Sequence, residues 1–351
     1  MPPRLTIITP TYRRPESLDK ALSSVVANFT ENNRPLVEVL VREDHSGQDY
    51  NPRYRRIEAK YAHDCHFYFN DRNLGMAENV RRLIDDACGQ FVLILTDDDR
   101  IFEGGLESLF TVLSRAERLG LGCLLLPRHC YRENGEKVTV SSRTIGFGKV
   151  QNRPTSALRL CPKGFILTGM IFKTELAKTF DWSRFTENAY FPIALQYHVL
   201  REGGGLRSNA SIVAHTVNNE THWHRWGADE SKQRERLGRD FLTIYDELTQ
   251  DAMGNVHSRP KRMYLRVLHW LNSLRFLGSR ALNRHPDPDH DAYAAWLRIQ
   301  RDGALRSRTA FLVVTKAAVV LAWFVRLSRL SVDAMADVGR CLSRRSKFDG
   351  G

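Results

Sequence analysis

Three consecutive carboxylates, Asp97, Asp98 and Asp99, follow the apolar run 91–95 with only Thr96 between them. Acids this close repel one another, and they stay ionised only beside a cation or a set of hydrogen-bond donors. A divalent cation held through carboxylate oxygens and bridging to a phosphate meets that need. A solvated acidic turn meets it as well. Three other loops carry groups suited to a polar ligand. These are Thr9-Pro10-Thr11-Tyr12, Glu43-Asp44, and the stretch 70–75 with Asn73 and Gly75.

Strands must lead into all four loops if the loops are to meet. Residues 5–9, 36–41, 65–69 and 91–95 are short runs rich in β-branched or aromatic residues, the pattern of buried strands. Helical spacing of apolar residues fills 16–26 and 76–88, and again 105–119 and 191–202. Strands alternating with helices predict an α/β fold with a mostly parallel sheet and right-handed crossovers. Ligands of such sheets sit outside the carboxyl ends of the strands, which is where the four loops fall. Further on, 122–126 reads as a buried strand and Asn134-Gly135 as a hairpin turn. Residues 164–172 are apolar with two glycines, 174–180 form a short helix, 211–217 an edge strand, and 228–250 a charged, exposed helix.

The 351 residues exceed one typical domain. Residues 1–255 are read as the α/β domain and 256–351 as a basic, amphipathic helical region. That second region carries +11 of the formal net charge of +12. Within it, Leu265, Leu268, Trp270, Leu271, Leu274 and Leu277 oppose Arg262, Arg266, Arg275 and Arg280. The 16 residues of 310–325, apolar except for Thr315 and Lys316, fall short of the ~20 that cross a bilayer. Their flanks carry Arg306, Arg308, Arg326 and Arg329, which suits an in-plane helix on an anionic membrane surface. Packing on the first domain is the other reading. A nucleic-acid partner is not expected, because the tail has no aromatic stacking platform or recognition motif. The six cysteines are scattered without a C-x-x-C pair, which fits a reducing cytosol. No signal peptide precedes the first strand. Together these features place the chain in the cytoplasm, peripheral to the inner face of the cell membrane.

Taken in order, the motifs resemble those of the family 2 glycosyltransferases of the GT-A fold. Thr9-Pro10-Thr11-Tyr12-Arg13-Arg14-Pro15 matches the end of their first strand. Glu43-Asp44-His45-Ser46 stands for their acidic turn, Asn73-Leu74-Gly75 with Asn79 for the next element, and Asp97-Asp98-Asp99 for their DXD motif. The resemblance implies a GT-A, Rossmann-like sheet with flanking helices and a nucleotide-diphosphate sugar as donor. It implies a glycan or lipid-linked acceptor in cell-surface polysaccharide synthesis. Pro10, Thr11 and Tyr12, with Arg14, would line the nucleotide pocket, and Asp44 would accept a hydrogen bond from a pyrimidine. Asn73, Gly75 and Asn79 would complete the donor site. Asp97 would hold the ribose or a metal-bound water, Asp99 would ligate Mg2+ or Mn2+, and Asp98 would assist or cap the turn. Without the resemblance, Tyr12 reads as packing and Asp44 as a turn cap.

The acceptor side departs from the family. The usual Glu-Asp or Asp-Asp pair, counted back from Gly203 or Gly204, falls on Pro192 or Ile193. Glu187 is the nearest upstream carboxylate, either the catalytic base or an acid at a helix start. Tyr190-Phe191-Pro192 is closer to the abequosyltransferase-like branch of O-antigen assembly. His215, His222 and His224 fall where related enzymes set a histidine over the diphosphate, with His222 the metal-ligand candidate. Arg225-Trp226 lacks the preceding Gln of processive members, and 164–169 would floor the acceptor site. Two alternatives stand beside this reading. One is a sugar-1-phosphate nucleotidyltransferase, which needs a Gly-rich phosphate loop that 9–15 does not contain; the other is an inactive membrane-docked scaffold.

Overall fold

The computed structural model describes residues 2–127, 129–131, 137–140, 148–161, 167–216, 230–254 and Arg262. The Asn134-Gly135 turn, Gly164, His222, His224, Arg225, Trp226 and the tail beyond Arg262 lie outside the described residues. The chain divides into two compact units, Met1–His269 and Trp270–Gly351, and the fold below belongs to the first.

The elements run β1 (Leu5–Thr11), α1 (Pro15–Val26), β2 (Val37–Glu43), α2 (Asn51–Lys60), β3 (His66–Phe69), α3 (Met76–Asp86) and β4 (Phe91–Ile94). Next come β5 (Arg100–Ile101), α4 (Gly105–Arg118), β6 (Cys123–Leu125), β7 (His129–Tyr131), β8 (Lys137–Val140), β9 (Gly148–Val150) and α5 (Pro154–Leu160). The remainder is β10 (Met170–Lys173), α6 (Thr174–Lys178), α7 (Phe191–Gly203), β11 (Gly205–Arg207), β12 (Val213–Thr216) and α8 (Glu230–Gly254). Among the described residues, the larger sheet has the order β3-β2-β1-β4-β10-β6-β11-β9 and the smaller β5-β12-β7-β8. The expected mostly parallel α/β sheet is present. β10 runs antiparallel to both its neighbours, β4 and β6, and β9 antiparallel to β11.

Every residue of β1 and β4 is buried, as continuous apolar strands covered on both faces must be. Alternation along the strands sends Ile7, Val39, Val41 and Leu93 into one core with Leu18, Leu22 and Val25 of α1 and Leu106, Leu109 and Leu113 of α4. On α3, Val80, Leu83 and Ile84 are buried, and this helix packs against β1 and β2. Pro15 opens α1 at its first position, where a missing N–H costs nothing.

Three helices depart from expectation, α5 among them, since no element is predicted over 154–160. α2 has no sequence signature because only Tyr54 and Ile57 of its ten residues are buried, too few for an apolar stripe. α8 is present where a helix is predicted, but it is not wholly exposed. Phe241, Ile244, Tyr245, Leu248 and Ala252 are buried at spacings that share one helical face. Tyr245 Oη donates to the Leu158 carbonyl at 3.0 Å. Asp251 accepts from Tyr197 Oη at 2.6 Å and from Arg201 Nη1 at 2.8 Å, tying α8 to α7. No described helix is long and apolar enough to cross a membrane.

Candidate active site

Strand register decides which loop residues meet. Ile8 of β1 pairs with Ile94 of β4. Three steps on, Thr11 stands opposite Asp97, and its Oγ1 donates to Asp97 Oδ2 at 2.8 Å. On the other side Thr11 pairs with Glu43, and its carbonyl accepts from the Asp44 N–H at 3.0 Å. Glu43 pairs with Phe69, and the Asn70 N–H donates to the Glu43 carbonyl at 3.0 Å. Asn70, Asp44, Thr11 and Asp97 therefore form a row along the carboxyl edge of four parallel strands. The row crosses from β1 to β4, where the strand order reverses, the position at which open α/β sheets bind ligands.

Asp97 and Asp98 share one cation. Arg14 Nη1 lies 3.2 Å from Asp97 Oδ1 and 3.0 Å from Asp98 Oδ2. Burial, and after it the charge of Asp98, push the Asp97 carboxyl up to about 7. Arg14, the Thr11 hydroxyl and the Tyr12 N–H pull it the other way. Tyr54 of α2, wholly buried, supports this corner from below. Its Oη accepts from the Arg14 N–H at 3.0 Å and lies 3.1 Å from Thr11 Oγ1. Since the Thr11 proton goes to Asp97, the Tyr54 hydroxyl donates to Thr11. Burial raises the Tyr54 phenol, so that proton stays in place. Arg13 and His45 both have positive φ, 57° and 53°, a region that costs energy for residues with a Cβ. Ser46 holds the Arg13 turn by accepting its N–H at 2.7 Å. The Arg13 guanidinium lies 4.9 Å from the centre of the half-buried Tyr12 ring.

Asp44 is engaged on both oxygens. Oδ1 accepts from Asn70 Nδ2 at 3.0 Å and the Leu74 N–H at 2.8 Å, and Oδ2 from the Gly75 N–H at 2.9 Å. Asn79, buried on α3, reaches Asn70 through its Oδ1 at 3.1 Å and donates to the Arg42 carbonyl at 3.0 Å. Asn73 is exposed and accepts from the Gly75 N–H at 3.1 Å. In this arrangement Asp44 staples the 70–75 loop, and Asn79 braces it.

The smaller sheet brings in the other wall. Ala214 pairs with Arg100 in antiparallel register, so His215 falls opposite Asp99. His215 Nδ1 is 3.0 Å from Asp99 Oδ2. The Thr96 hydroxyl donates to Oδ2 at 2.7 Å and the Thr216 N–H to Oδ1 at 2.7 Å. Asp99 is fully buried. The Thr96 hydroxyl also bonds that of Thr168, and Thr168 Oγ1 accepts the Thr96 N–H at 3.0 Å. His215, Thr168, Gly169, Val213, Leu126 and Pro127 line a narrow cleft beside Asp99.

Among the described residues no three His, Cys, Asp or Glu side chains converge as a ready metal cage. The donor chemistry nonetheless fits a hard divalent cation. Such ions, when they serve phosphorylated ligands, are held by one or two carboxylates, and phosphate oxygens complete the shell. Hydrogen-bonded carboxylates keep spare lone pairs for this. Asp97 and Asp99 would supply the oxygens. Of the histidines singled out in the sequence, His215 is brought to the acid cluster, while His222 and His224 lie outside the described residues. Glu187 is exposed in the loop ahead of α7. Its neighbours Asn188 and Ala189 bond to Asp240 of α8, at 3.0 and 3.2 Å. Tyr190, Phe191 and Pro192 are buried at the start of α7. They are packing residues.

Residues 6–172 match the family described as glycosyl transferase family 2, and this stretch of the chain belongs to that family. Over 107 residues the chain is 28% identical to the GalNAc(5)-diNAcBac-PP-undecaprenol beta-1,3-glucosyltransferase of Campylobacter jejuni, covering 30% of this chain and 33% of the relative. Over 117 residues it is 30% identical to an uncharacterized glycosyltransferase of Mycoplasma genitalium, covering 33% and 38% of the two chains. These alignments span little more than a third of either curated relative. The fold is similar to that of a mannosyltransferase from Pyrobaculum calidifontis, solved in complex with GDP-Man and Mn2+. The TM-score is 0.50 at 16% identity, over 92% of this chain and 81% of that one.

Proposed function

We propose that this chain transfers a sugar from a nucleotide-diphosphate donor to a lipid-linked or growing glycan acceptor, with Mg2+ or Mn2+ as cofactor. The observation that carries this reading is the row from Asn70 to Asp97 at the strand-order reversal, continued two residues on by Asp99, which is bonded to His215 of the second sheet. Pro10, Thr11 and Tyr12 form the base end, and Asp44 orders it through the 70–75 loop. Asp97 borders both the ribose and the cation, and Asp99, with His215 beside it, holds the cation. The cation, when bound, neutralises charge on the departing nucleoside diphosphate, the electrostatic contribution such transfers need most. Thr168 and Gly169 border the acceptor, since a glycine lets a sugar approach the backbone. Glu187 is the proposed base for the acceptor hydroxyl.

The undecaprenol-linked substrate in the name of the Campylobacter relative supports a lipid-linked acceptor, and the basic region 256–351 would bring the chain to the anionic leaflet. The Mn2+ of the Pyrobaculum enzyme makes that ion the first to test. The test is a thermal-shift series with UDP, GDP, CDP and dTDP, each with Mn2+ or with EDTA. One nucleotide should raise Tm in Mn2+ and lose most of the gain in EDTA, as a native-state ligand must. No shift with any of the four would sink the donor assignment.

A further inference from the structure

The Asp97–Asp98 pair already has a positive partner of its own, and the structure makes clear how it is delivered. The Arg14 backbone is pinned on both sides. Its N–H is held by the Tyr54 hydroxyl at 3.0 Å, and its carbonyl accepts the Leu18 N–H at 3.0 Å as the first turn of α1 closes. Pro15 follows at once and further restricts the chain. The side chain is 24% exposed, while those of Asp97 and Asp98 are 6% and 13% exposed. A single nitrogen, Nη1, serves both carboxylates.

A guanidinium bonded to Asp97 and Asp98 repels a divalent cation on a further lone pair of Asp97, because two like charges would stand within a few ångström in a largely buried site. We propose that Arg14 is the built-in counter-cation of Asp97 and Asp98 and, by like-charge repulsion, opposes a divalent cation bound at Asp97. This rests on the cation-dependent reading above. Arg14 holds the cluster against its own repulsion and keeps affinity for the bare ion low. A nucleoside diphosphate offers the guanidinium a second anion of matching geometry, so cation and nucleotide bind more tightly together than apart. Arg14 thereby acts as a positioning residue that favours loading of the complete donor over loading of the ion alone.

The test is Mn2+ uptake by the full chain, followed by loss of the free-ion electron paramagnetic resonance signal. Arg14→Gln and Arg14→Met remove the charge, and Arg14→Lys retains it. Without nucleotide, the Gln and Met variants should bind Mn2+ at least about tenfold more tightly than wild type, equivalent to ~1.4 kcal/mol. The Lys variant should stay close to wild type. Thermal unfolding identifies which of the two uncharged variants is folded and can be read. If wild type binds Mn2+ with UDP or GDP but the folded uncharged variants match it without nucleotide, the role of Arg14 is wrong and the donor reading stands. If no form takes up Mn2+ under any condition, both fall.

Discussion

At the scale of single residues, the site is a set of buried carboxylates whose charges are balanced by different means. Asp99 is met by neutral donors and His215, Asp97 by Arg14 and Thr11. Asp99→Asn keeps an acceptor for the Thr216 N–H and loses the charge. Turnover should fall by ~10²-fold or more with Tm near wild type, measured by donor consumption and thermal melting. Near-normal turnover would remove Asp99 from the chemistry. Asp97 makes a separate prediction. Its carboxyl titrates near 3.8 in the unfolded chain and at about 7 in the fold. The native state therefore holds the proton more firmly, and stability falls as pH rises between those values. Its contribution is complete below about pH 4 and gone above about pH 7. Asp97→Asn cannot ionise, so its Tm relative to wild type should rise from pH 5 to pH 8 in EDTA; an unchanged difference would refute the shift. The acids were legible because their motif follows a buried strand. His215 was legible only as one of three histidines, since the register that selects it runs through β5, a strand of two residues.

At the scale of elements, α2 shows what a sequence conceals. Its outward side is basic and its buried residues are only Tyr54 and Ile57, so periodicity gives no signal. Yet Tyr54 supplies the hydroxyl under Thr11 and Arg14. Tyr54→Phe should lower stability by about 1–3 kcal/mol, because the partly buried Arg14 N–H loses its acceptor. The same change should raise the donor KM, read from denaturant melts and from kinetics. A variant matching wild type in both would show that the hydroxyl is dispensable. The parallel strands β1 to β4 were readable as apolar runs bounded by polar loops. In the smaller sheet β12 falls within the stretch 211–217 read as an edge strand, although it lies between β5 and β7, and β7 and β8 pair antiparallel as the hairpin reading expects; β5, at two residues, is too short for any pattern. α8 was read as exposed from its charge density, although positions 241, 244, 245, 248 and 252 share one face.

For the whole molecule, charge divides the chain. Residues 1–255 are almost balanced and 256–351 carry +11, an asymmetry that favours an anionic surface. Each basic residue near such a surface contributes about 1 kcal/mol. The full chain should cosediment with vesicles containing anionic phospholipid at low salt and release at 0.5 M salt, where the Debye length is short. Arg326→Glu with Arg329→Glu should weaken binding at least about tenfold. Binding indifferent to salt and to these charges would rule out the electrostatic tether. This feature could be read from composition alone, whereas the full lining of the cleft beside Asp99 could not, because residues 126–127, 168–169 and 213–215 are distant in the chain.

The reversed direction of β10 bears on how such a protein can change over generations. Met170 meets Ile94 at the strand's beginning, so the polypeptide enters the frame at the very rim where its neighbours leave it. Residues added or lost ahead of that point would remodel one bank of the cleft without shifting a single rung of the ladder. The bank proposed for the donor is made of strand ends bonded to one another and has no such latitude. Diversification among descendants of this chain should therefore collect in the stretch before Met170, altering which molecule receives the sugar while leaving the choice of donor inherited.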